Sequence, residues 1–333
     1  MRSQPFQSSR SFPPSRRHLH LAATGLVTLL TVSLSASLAR TAHAELIYGV
    51  TETDITGTTT PFLVSFDSAT PKKLTTIGAI TGLVRGQMLR SIDFRPSNGQ
   101  LYALSNSGNG TAAQLYTVNL KSGTLTKVGK GLTLTGNRSD RISIDFDPAS
   151  GALRVLTGTA TNYRVNASTS ALIAQDRSIN PGSFYADIAY SNNVVGARQT
   201  TLYAYDVFQN SLGRIGGLGG WPSPDRGQYT SIGTSEFSAT TPAISFDISG
   251  ATGTGYLSLN EISSPDDNSE FYIVNLRTGA LTLVGNSPTA LLDFSVIIPS
   301  TTQKSPPKQG TVPQLSSVSE GQESTSRTAS MGK

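Results

Sequence analysis

The 333-residue chain contains no cysteine, and its three histidines all lie within the first 44 residues. Without thiols the fold cannot rely on disulfides, so a hydrophobic core must hold it together, which a chain of this length can supply. From residue 45 onward, the composition excludes Ser-His-Asp and Cys-His nucleophilic sites, zinc sites with the usual ligands and histidine general bases.

The positive charge of the chain is also confined to its start. The formal net charge is +5, which would usually suggest nucleic acid or an anionic membrane as partner. Residues 1–44 contain five arginines and no acidic residue, and the remaining residues carry as many bases as acids. We therefore expect no nucleic-acid partner.

Residues 1–44 have the three parts of an export signal: an arginine-rich start, an apolar stretch at 19–39 and Ala-His-Ala at 42–44 as a cleavage site. The apolar stretch approaches the length of a membrane span, but the cleavage motif predicts removal and no stable membrane anchor. Arg16 and Arg17 also fit a twin-arginine signal, and a general secretory signal is the alternative. The sequence predicts an exported protein, periplasmic or secreted.

Two fifteen-residue stretches nearly repeat each other, LYTVNLKSGTLTKVG at 115–129 and FYIVNLRTGALTLVG at 271–285. In both, apolar and polar residues alternate on either side of a glycine turn, which predicts a β-hairpin. A second hairpin type, SIDFRPSNGQLYALS at 91–105 and SIDFDPASGALRVLT at 143–157, precedes a hairpin of the first type. The repeating unit therefore has four strands.

Strand fragments at both ends of this region complete one unit between them, with three N-terminal strands and one C-terminal strand at 291–297. A ring of four-stranded units closed in this way is typical of a β-propeller. We predict an all-β domain at 45–298 with five blades. Six blades are the alternative, because 217–242 could hide a weak copy, and a β-sandwich is a second alternative. Residues 299–333, rich in Ser, Thr, Pro and Gln, are predicted to be a disordered tail.

The pattern Ile-Asp-Phe-x-Pro…Gly-x-Leu-Tyr-x-Leu at 92–104, the hairpin at 115–129 and AYSNN at 189–193 together resemble a known family. It is the secreted bacterial family of domain of unknown function 4394, and the resemblance covers about residues 46–297. The family is uncharacterised, so the resemblance implies a propeller-like fold and assigns no catalytic residue.

The strand order predicts short turns on one face and long connections on the other, and function usually lies on such long loops. The predicted ligand face consists of 79–90, 130–141, 176–186 and 217–242. Its candidate ligand-binding residues are Arg85, Arg141, Arg177, Trp221 and Arg226. The arginines could attract a carboxylated sugar or a phosphate, and the indole could stack on a sugar ring. Alternatively, the dipeptides Asp140-Arg141, Asp176-Arg177 and Asp225-Arg226 form ion pairs between blades, and Trp221 covers a hydrophobic gap.

Asp93, Asp145 and Asp293 occupy similar positions in the first strands of three units, whereas Ala189 and Ser245 are aligned with them in the other two. Three such carboxylates could bind a hard cation such as calcium. The alternative interpretation is that each accepts backbone hydrogen bonds from the adjacent blade.

These patterns favour an exported, non-catalytic binding or interaction module whose partner is an anionic glycan or a protein, with no required cofactor. The alternative is a histidine-free glycosidase or lyase that acts on an extracellular saccharide near the central channel. Such an enzyme needs two carboxylates at a fixed separation, and no spacing in the sequence indicates that pair. A purely structural surface protein is a third possibility.

Overall fold

The structure, a computed structural model, describes residues 44–51, 60–107, 111–134, 141–235, 243–260 and 268–298. These residues form twenty strands in five antiparallel sheets of four strands each. The predicted five-bladed β-propeller is therefore confirmed, and the six-blade alternative is wrong. Residues 1–43 of the predicted export signal and the predicted tail at 299–333 lie outside the described residues. Within the described ranges, no helix has the length and hydropathy needed to cross a membrane.

The blades follow one another along the chain. Blade 1 contains β1 (Leu46–Thr51), β2 (Phe62–Asp67), β3 (Thr75–Ala79) and β20 (Leu291–Val296). Blade 2 contains β4 (Gln87–Arg95), β5 (Gln100–Ser107), β6 (Ala112–Val118) and β7 (Leu125–Thr133). Blade 3 contains β8 (Ile142–Phe146), β9 (Leu153–Thr157), β10 (Asn162–Asn166) and β11 (Ala171–Gln175). Blade 4 contains β12 (Tyr185–Tyr190), β13 (Leu202–Asp206), β14 (Ser211–Ile215) and β15 (Tyr229–Thr234). Blade 5 contains β16 (Ala243–Ile248), β17 (Gly255–Asn260), β18 (Ser269–Val274) and β19 (Leu281–Ser287).

The ring is closed within blade 1. Strand β20 pairs antiparallel with β1, with Ile47 opposite Val296, and forms the innermost strand of that sheet. The predicted closure by one C-terminal strand beside three N-terminal strands is confirmed.

The Ile-Asp-Phe pattern of the first strands follows from their two-residue period, which sends alternate side chains to opposite faces of the sheet. In β4, Ile92 and Phe94 belong to the hydrophobic cluster between blades 1 and 2. The ring of Phe94 lies edge-on to Tyr48 of β1, with 5.6 Å between centroids. Asp93 points the other way, toward blade 3 and the central channel.

The core is divided among five hydrophobic clusters, each of which joins two neighbouring blades. The first strands are largely buried, whereas outermost strands such as β11 are mostly exposed. Burial of apolar side chains between blades, rather than within a blade, therefore supplies most of the stabilisation.

The repeated hairpin of the sequence is the outer half of a blade, and its glycine turn packs on the preceding blade. Gly123 and Gly279 have φ values of 75° and 76°, a conformation that favours glycine. A Cβ atom on Gly123 would lie 2.7 Å from the carbonyl oxygen of Ala79 in β3. A Cβ atom on Gly279 would lie 2.4 Å from the carbonyl oxygen of Gly233 in β15. The turn thus requires glycine for both conformation and space.

The structure corrects the position of 217–242, which the sequence placed between blades. Strand β15 lies in this segment as the fourth strand of blade 4, so residues 217–228 connect β14 to β15. They hold two short 3-10 helices, Leu218–Gly220 and Pro224–Arg226. The Gly219 N–H donates to Thr201 Oγ1 at 2.9 Å, which places this connection at the same end of blade 4 as its β12–β13 turn.

Candidate functional site at the central channel

The innermost strands of the five blades (β20, β4, β8, β12 and β16) surround the central channel, and each contacts its counterparts in both neighbouring blades. Each strand places two alternate residues at the channel, which form two rings. We call the first ring the mouth tier; it contains Ser91, Ser143, Asp187, Ser245 and Asp293. We call the second ring the lower tier; it contains Asp93, Asp145, Ala189, Asp247 and Ser295.

The aspartates of both tiers accept hydrogen bonds from the backbone of the next blade. Asp93 Oδ2 accepts from the Phe146 N–H at 2.8 Å, and Asp293 Oδ2 accepts from the Ile92 N–H at 2.7 Å. The Tyr190 N–H of β12 lies near Asp145 and lowers the pKa of that carboxyl. An innermost strand is the edge of its sheet, so its buried N–H groups need such acceptors. The interpretation that these aspartates accept bonds from the adjacent blade is confirmed for Asp93 and Asp293.

Serine performs the same role at other positions. Ser91 Oγ accepts from the Ile144 N–H at 3.0 Å, and Ser295 Oγ accepts from the Phe94 N–H at 3.2 Å. Serine and aspartate therefore both supply hydrogen-bond acceptors for the unpaired backbone N–H groups at the edge of a neighbouring sheet.

These bonds correct the predicted alignment of the aspartates. Asp293 belongs to the mouth tier, one step away from Asp93 and Asp145. In blade 5, the counterpart of Asp93 is Asp247, and Ser245 belongs to the mouth tier. The three carboxylates that come together are therefore Asp93, Asp145 and Asp247, and Asp293 is not among them.

The mouth tier lines a cavity of about 200 Å³ to which all five blades contribute. Arg90, within β4, and Arg141, directly before β8, also line this cavity, and both are half-buried. Arg90 Nε donates to Asn106 Oδ1 at 2.5 Å, which fixes that guanidinium. Of the predicted ligand residues, Arg141 lines this cavity.

Asp187 and Asp293 are the acidic residues of this cavity. In each carboxylate, one oxygen accepts the N–H of the following residue and the other accepts an N–H of the next blade, all at 2.7–2.8 Å. Burial raises the pKa of Asp187 well above its ordinary value, and it raises the pKa of Asp293 to about 7. Both groups are rigid acceptors that stabilise the strand edges.

The lower tier brings three buried carboxylates together. One oxygen each from Asp93, Asp145 and Asp247 lies within 4.8 Å of the others. The Ser295 hydroxyl lies 2.9 Å from Asp93 Oδ1 and 3.1 Å from Asp247 Oδ2. Burial first, then repulsion between the carboxylates, raises the pKa values of Asp93 and Asp145, and burial raises the pKa of Asp247 to about 6.

Two of the predicted Asp-Arg dipeptides meet between blades 3 and 4, but their aspartates pair with other arginines. Arg154 of β9, which is buried, reaches Asp225 at 2.7 Å and Asp176 at 3.2 Å. Arg164 lies 2.8 Å from Asp176 and 3.3 Å from Asp225. The aspartates thus form a network that joins two blades, but Arg177 and Arg226 of the dipeptides take no part in these ion pairs. Asp140 of the remaining dipeptide lies outside the described residues.

The other predicted ligand residues lie away from the channel mouth. Arg177 and Arg226 line a surface groove of about 580 Å³. The Arg226 guanidinium lies over the Trp221 ring at 5.7 Å, and the Trp221 side chain is 76% exposed. Arg85 is exposed on the β3–β4 connection. Trp221 therefore covers no hydrophobic gap, and its surface is separate from the cavity.

Sequence reasoning missed Asp187 and Asp247, and it did not place Arg90 among the ligand residues. The signal for Asp247 is the Ser-x-Asp order of 245–247, which repeats the order at 91–93 and 143–145. Alignment on that order, rather than on the aromatic residue after the aspartate, would have identified the lower tier.

The model of the family described as domain of unknown function (DUF4394) matches residues 62–295, and the chain belongs to this family. No curated protein matches the chain.

The fold is similar to several solved structures. A candidate 6-phosphogluconolactonase from Bacteroides uniformis shares 15% identity at a TM-score of 0.39, over 74% of this chain and 83% of that one. A second, from Bacteroides fragilis, shares 12% identity at a TM-score of 0.41, over 78% and 99%. A protein from Lactobacillus plantarum shares 11% identity at a TM-score of 0.40, over 76% and 99%. Similarity at this level carries no argument about activity.

Proposed function

We propose that this member of the DUF4394 family is an exported, non-catalytic binding module that takes a small anionic ligand at the mouth of its central channel. The observation that carries the proposal is the cavity of the mouth tier, with two half-buried guanidinium groups, Arg90 and Arg141, in its lining. The ligand class is a carboxylated sugar or a phosphate ester.

The chemistry of the cavity suits such a ligand. Planar guanidinium groups bind carboxylate and phosphate with paired hydrogen bonds, and they remain charged at every physiological pH. The serine hydroxyls of the mouth tier can both donate to and accept from sugar hydroxyls. Backbone amides hold Asp187 and Asp293 in place, and burial raises the pKa of both groups, which favours their neutral form and limits repulsion of an anion.

The same bonds favour a binding module over a carboxylate-based enzyme. A glycosidase needs one carboxyl group that transfers a proton and a second that attacks or activates water. Asp187 and Asp293 are the only acidic residues among those lining the described cavity, and each is engaged by two backbone amides. Backbone donors on both oxygens fix the orientation of each carboxylate and compete for the lone pairs that a nucleophile or a general base would use.

The experiment is a calorimetric titration of the full chain with glucuronate, galacturonate and inorganic phosphate, with glucose as the neutral control. We expect saturable binding of an anion and no binding of glucose. Arg141→Gln and Arg90→Gln should each weaken that binding by about 10- to 100-fold, the usual loss for a hydrogen bond to a charged group. Arg85→Gln is the matched control, because it removes the same charge from an exposed connection outside the cavity.

The same titrations with Trp221→Ala test whether the ligand binds at a second candidate surface, away from the channel. The exposed indole, with Arg226 over its ring, offers a platform on which a sugar ring could stack. A loss of binding in Trp221→Ala with none in Arg141→Gln would move the ligand to that surface. Binding of no anion, or equal loss in Arg85→Gln and Arg141→Gln, would overturn the channel site. N-terminal sequencing of the secreted protein tests export, with Glu45 as the expected first residue.

A further inference from the structure

The lower tier has a composition that the packing of the blades does not require. Each innermost strand needs an acceptor for the backbone of its neighbour, and serine supplies one at Ser91 and Ser295. Yet the lower tier has aspartate at three of five positions, and one oxygen from each lies within 4.8 Å of the others. Three buried carboxylates at this separation repel one another, so their convergence is costly unless protons neutralise them or a cation lies between them.

The hydrogen bonds of the three carboxylates leave one oxygen unused. In Asp247, backbone amides engage both oxygens, and in Asp93 a backbone amide engages one oxygen and the Ser295 hydroxyl the other. The Oδ1 atom of Asp145 has no hydrogen-bond partner although the residue is only 2% exposed, and the nearby Tyr190 N–H of β12 lowers the pKa of this carboxyl. A buried carboxylate oxygen without a donor loses the water that would stabilise its charge, and no hydrogen bond replaces that water.

Among the residues that the structure describes, no ion pair compensates this charge. No described lysine or arginine lies within 4.0 Å of these carboxylates, and the ion pairs found between described residues involve Arg154 and Arg164 between blades 3 and 4. The nearest charged groups are other aspartates, which add repulsion.

We propose that Asp93, Asp145 and Asp247 form a binding site for a hard divalent cation, with Ca²⁺ as the best fit, in the lower tier of the channel. This site goes beyond the proposed ligand at the mouth and does not depend on it. The donor set contains oxygen alone, which suits calcium and magnesium and disfavours softer metals. Oxygens bound to one Ca²⁺ at about 2.3–2.6 Å can lie up to about 5 Å apart, in agreement with the separation found here.

The proposed cation ligands differ from those predicted from the sequence, because Asp247 takes the place of Asp293. Like the other aspartates, Asp293 is buried and lies on an innermost strand, but it belongs to the mouth tier and lies outside the cluster. The proposal therefore distinguishes Asp247 from Asp293, although both are buried aspartates on an innermost strand.

The test begins with the full chain after treatment with EDTA. We expect calorimetric titration with CaCl₂ to give one equivalent of bound Ca²⁺, and thermal unfolding to shift upward with calcium. MgCl₂ and MnCl₂ titrations establish the preference among hard cations. Absence of saturable binding of all three cations at millimolar concentration would overturn the proposal without any variant.

Asp145→Asn is the decisive variant, because it is expected to fold. Its amide nitrogen can occupy the Oδ1 position, where no N–H donor opposes it, and the substitution removes one of three repelling charges. We expect calcium affinity to fall by about 100-fold or more, since ligand charge largely sets affinity in such sites. Asp147→Asn, two residues further along the chain, is the charge-matched control and should bind calcium like the wild type. Unchanged calcium binding in Asp145→Asn, or equal loss in Asp147→Asn, would refute the assignment.

Discussion

The mouth tier and the lower tier both consist mainly of serine and aspartate, yet their carboxylates differ in surroundings. In the mouth tier, Asp187 and Asp293 are engaged by two backbone amides each and lie beside two arginines. In the lower tier, three carboxylates converge, no described cation contacts them, and one oxygen is unpaired. Serine and aspartate are equivalent as acceptors for a strand edge, so their distribution between the tiers carries the functional information.

The largest expected effect is a loss of stability with rising pH that comes from Asp293 of the mouth tier. Burial raises the pKa of Asp293 to about 7 in the folded protein, from an ordinary value of 3.8. Between these values the folded state keeps a proton that the unfolded chain releases, so this group stabilises the fold at low pH and the stabilisation is lost as pH rises through 7. We expect the EDTA-treated protein to lose about 2–3 kcal/mol of unfolding free energy between pH 5 and pH 8 from this group.

Urea unfolding at four pH values measures this loss, with Asp293→Asn as the control that should show a flatter profile. Addition of calcium should leave the contribution of Asp293 in place, because this residue lies outside the lower tier. A stability that rises with pH over this window would show that the buried aspartates are charged and paired in the folded state.

A second comparison uses the same isosteric change in each tier. Asp293→Asn places an amide nitrogen against a backbone N–H that now donates to the carboxylate, so we expect a loss of about 1–3 kcal/mol at pH 8. Asp145→Asn meets no such donor, and in the absence of metal it should be neutral or stabilising. Urea unfolding at pH 8 with EDTA measures both, and equal destabilisation of the two variants would remove the distinction between the tiers.

The smallest expected effect couples the tiers to each other. Positions two residues apart on a strand are separated by about 6.6 Å, so a cation in the lower tier should attract an anion at the mouth. We expect calcium to raise anion affinity by about 3- to 10-fold, and the anion to raise calcium affinity equally. Calorimetry with and without calcium measures this coupling. Asp145→Asn should abolish it, and persistence of coupling in that variant would mean that calcium acts elsewhere.

The architecture was predictable from the sequence because the features that determine it are local. Alternation, glycine turns such as Gly123 and Gly279, and two hairpin types in a fixed order are sufficient to give four-stranded blades and their closure. Strand β15 was missed because TSIG within Tyr229–Thr234 has little apolar periodicity. Its strand conformation depends on pairing with β14, which its own residues do not reveal.

The site was less predictable, because it depends on which residues of different blades lie at one height. Ser245 and Asp247 are both compatible with a strand that faces the channel, and only bonds such as that from the Val296 N–H to Asp247 Oδ2 establish the register. The separation of Trp221 from Arg141 likewise follows from the pairing of β15, which moved one loop to the other end of the blade.

The pairing of β20 with β1 also has a consequence for the order of synthesis. Strands β1–β3 leave the ribosome first, and the strand that completes their sheet leaves after all of blades 2 to 5. Until then the edge of β1 is an open template on which another chain could pair. Blades 2 to 5 can assemble during translation, whereas the first blade must wait for the last strand, so a truncated product would carry an unprotected strand edge and be prone to aggregate.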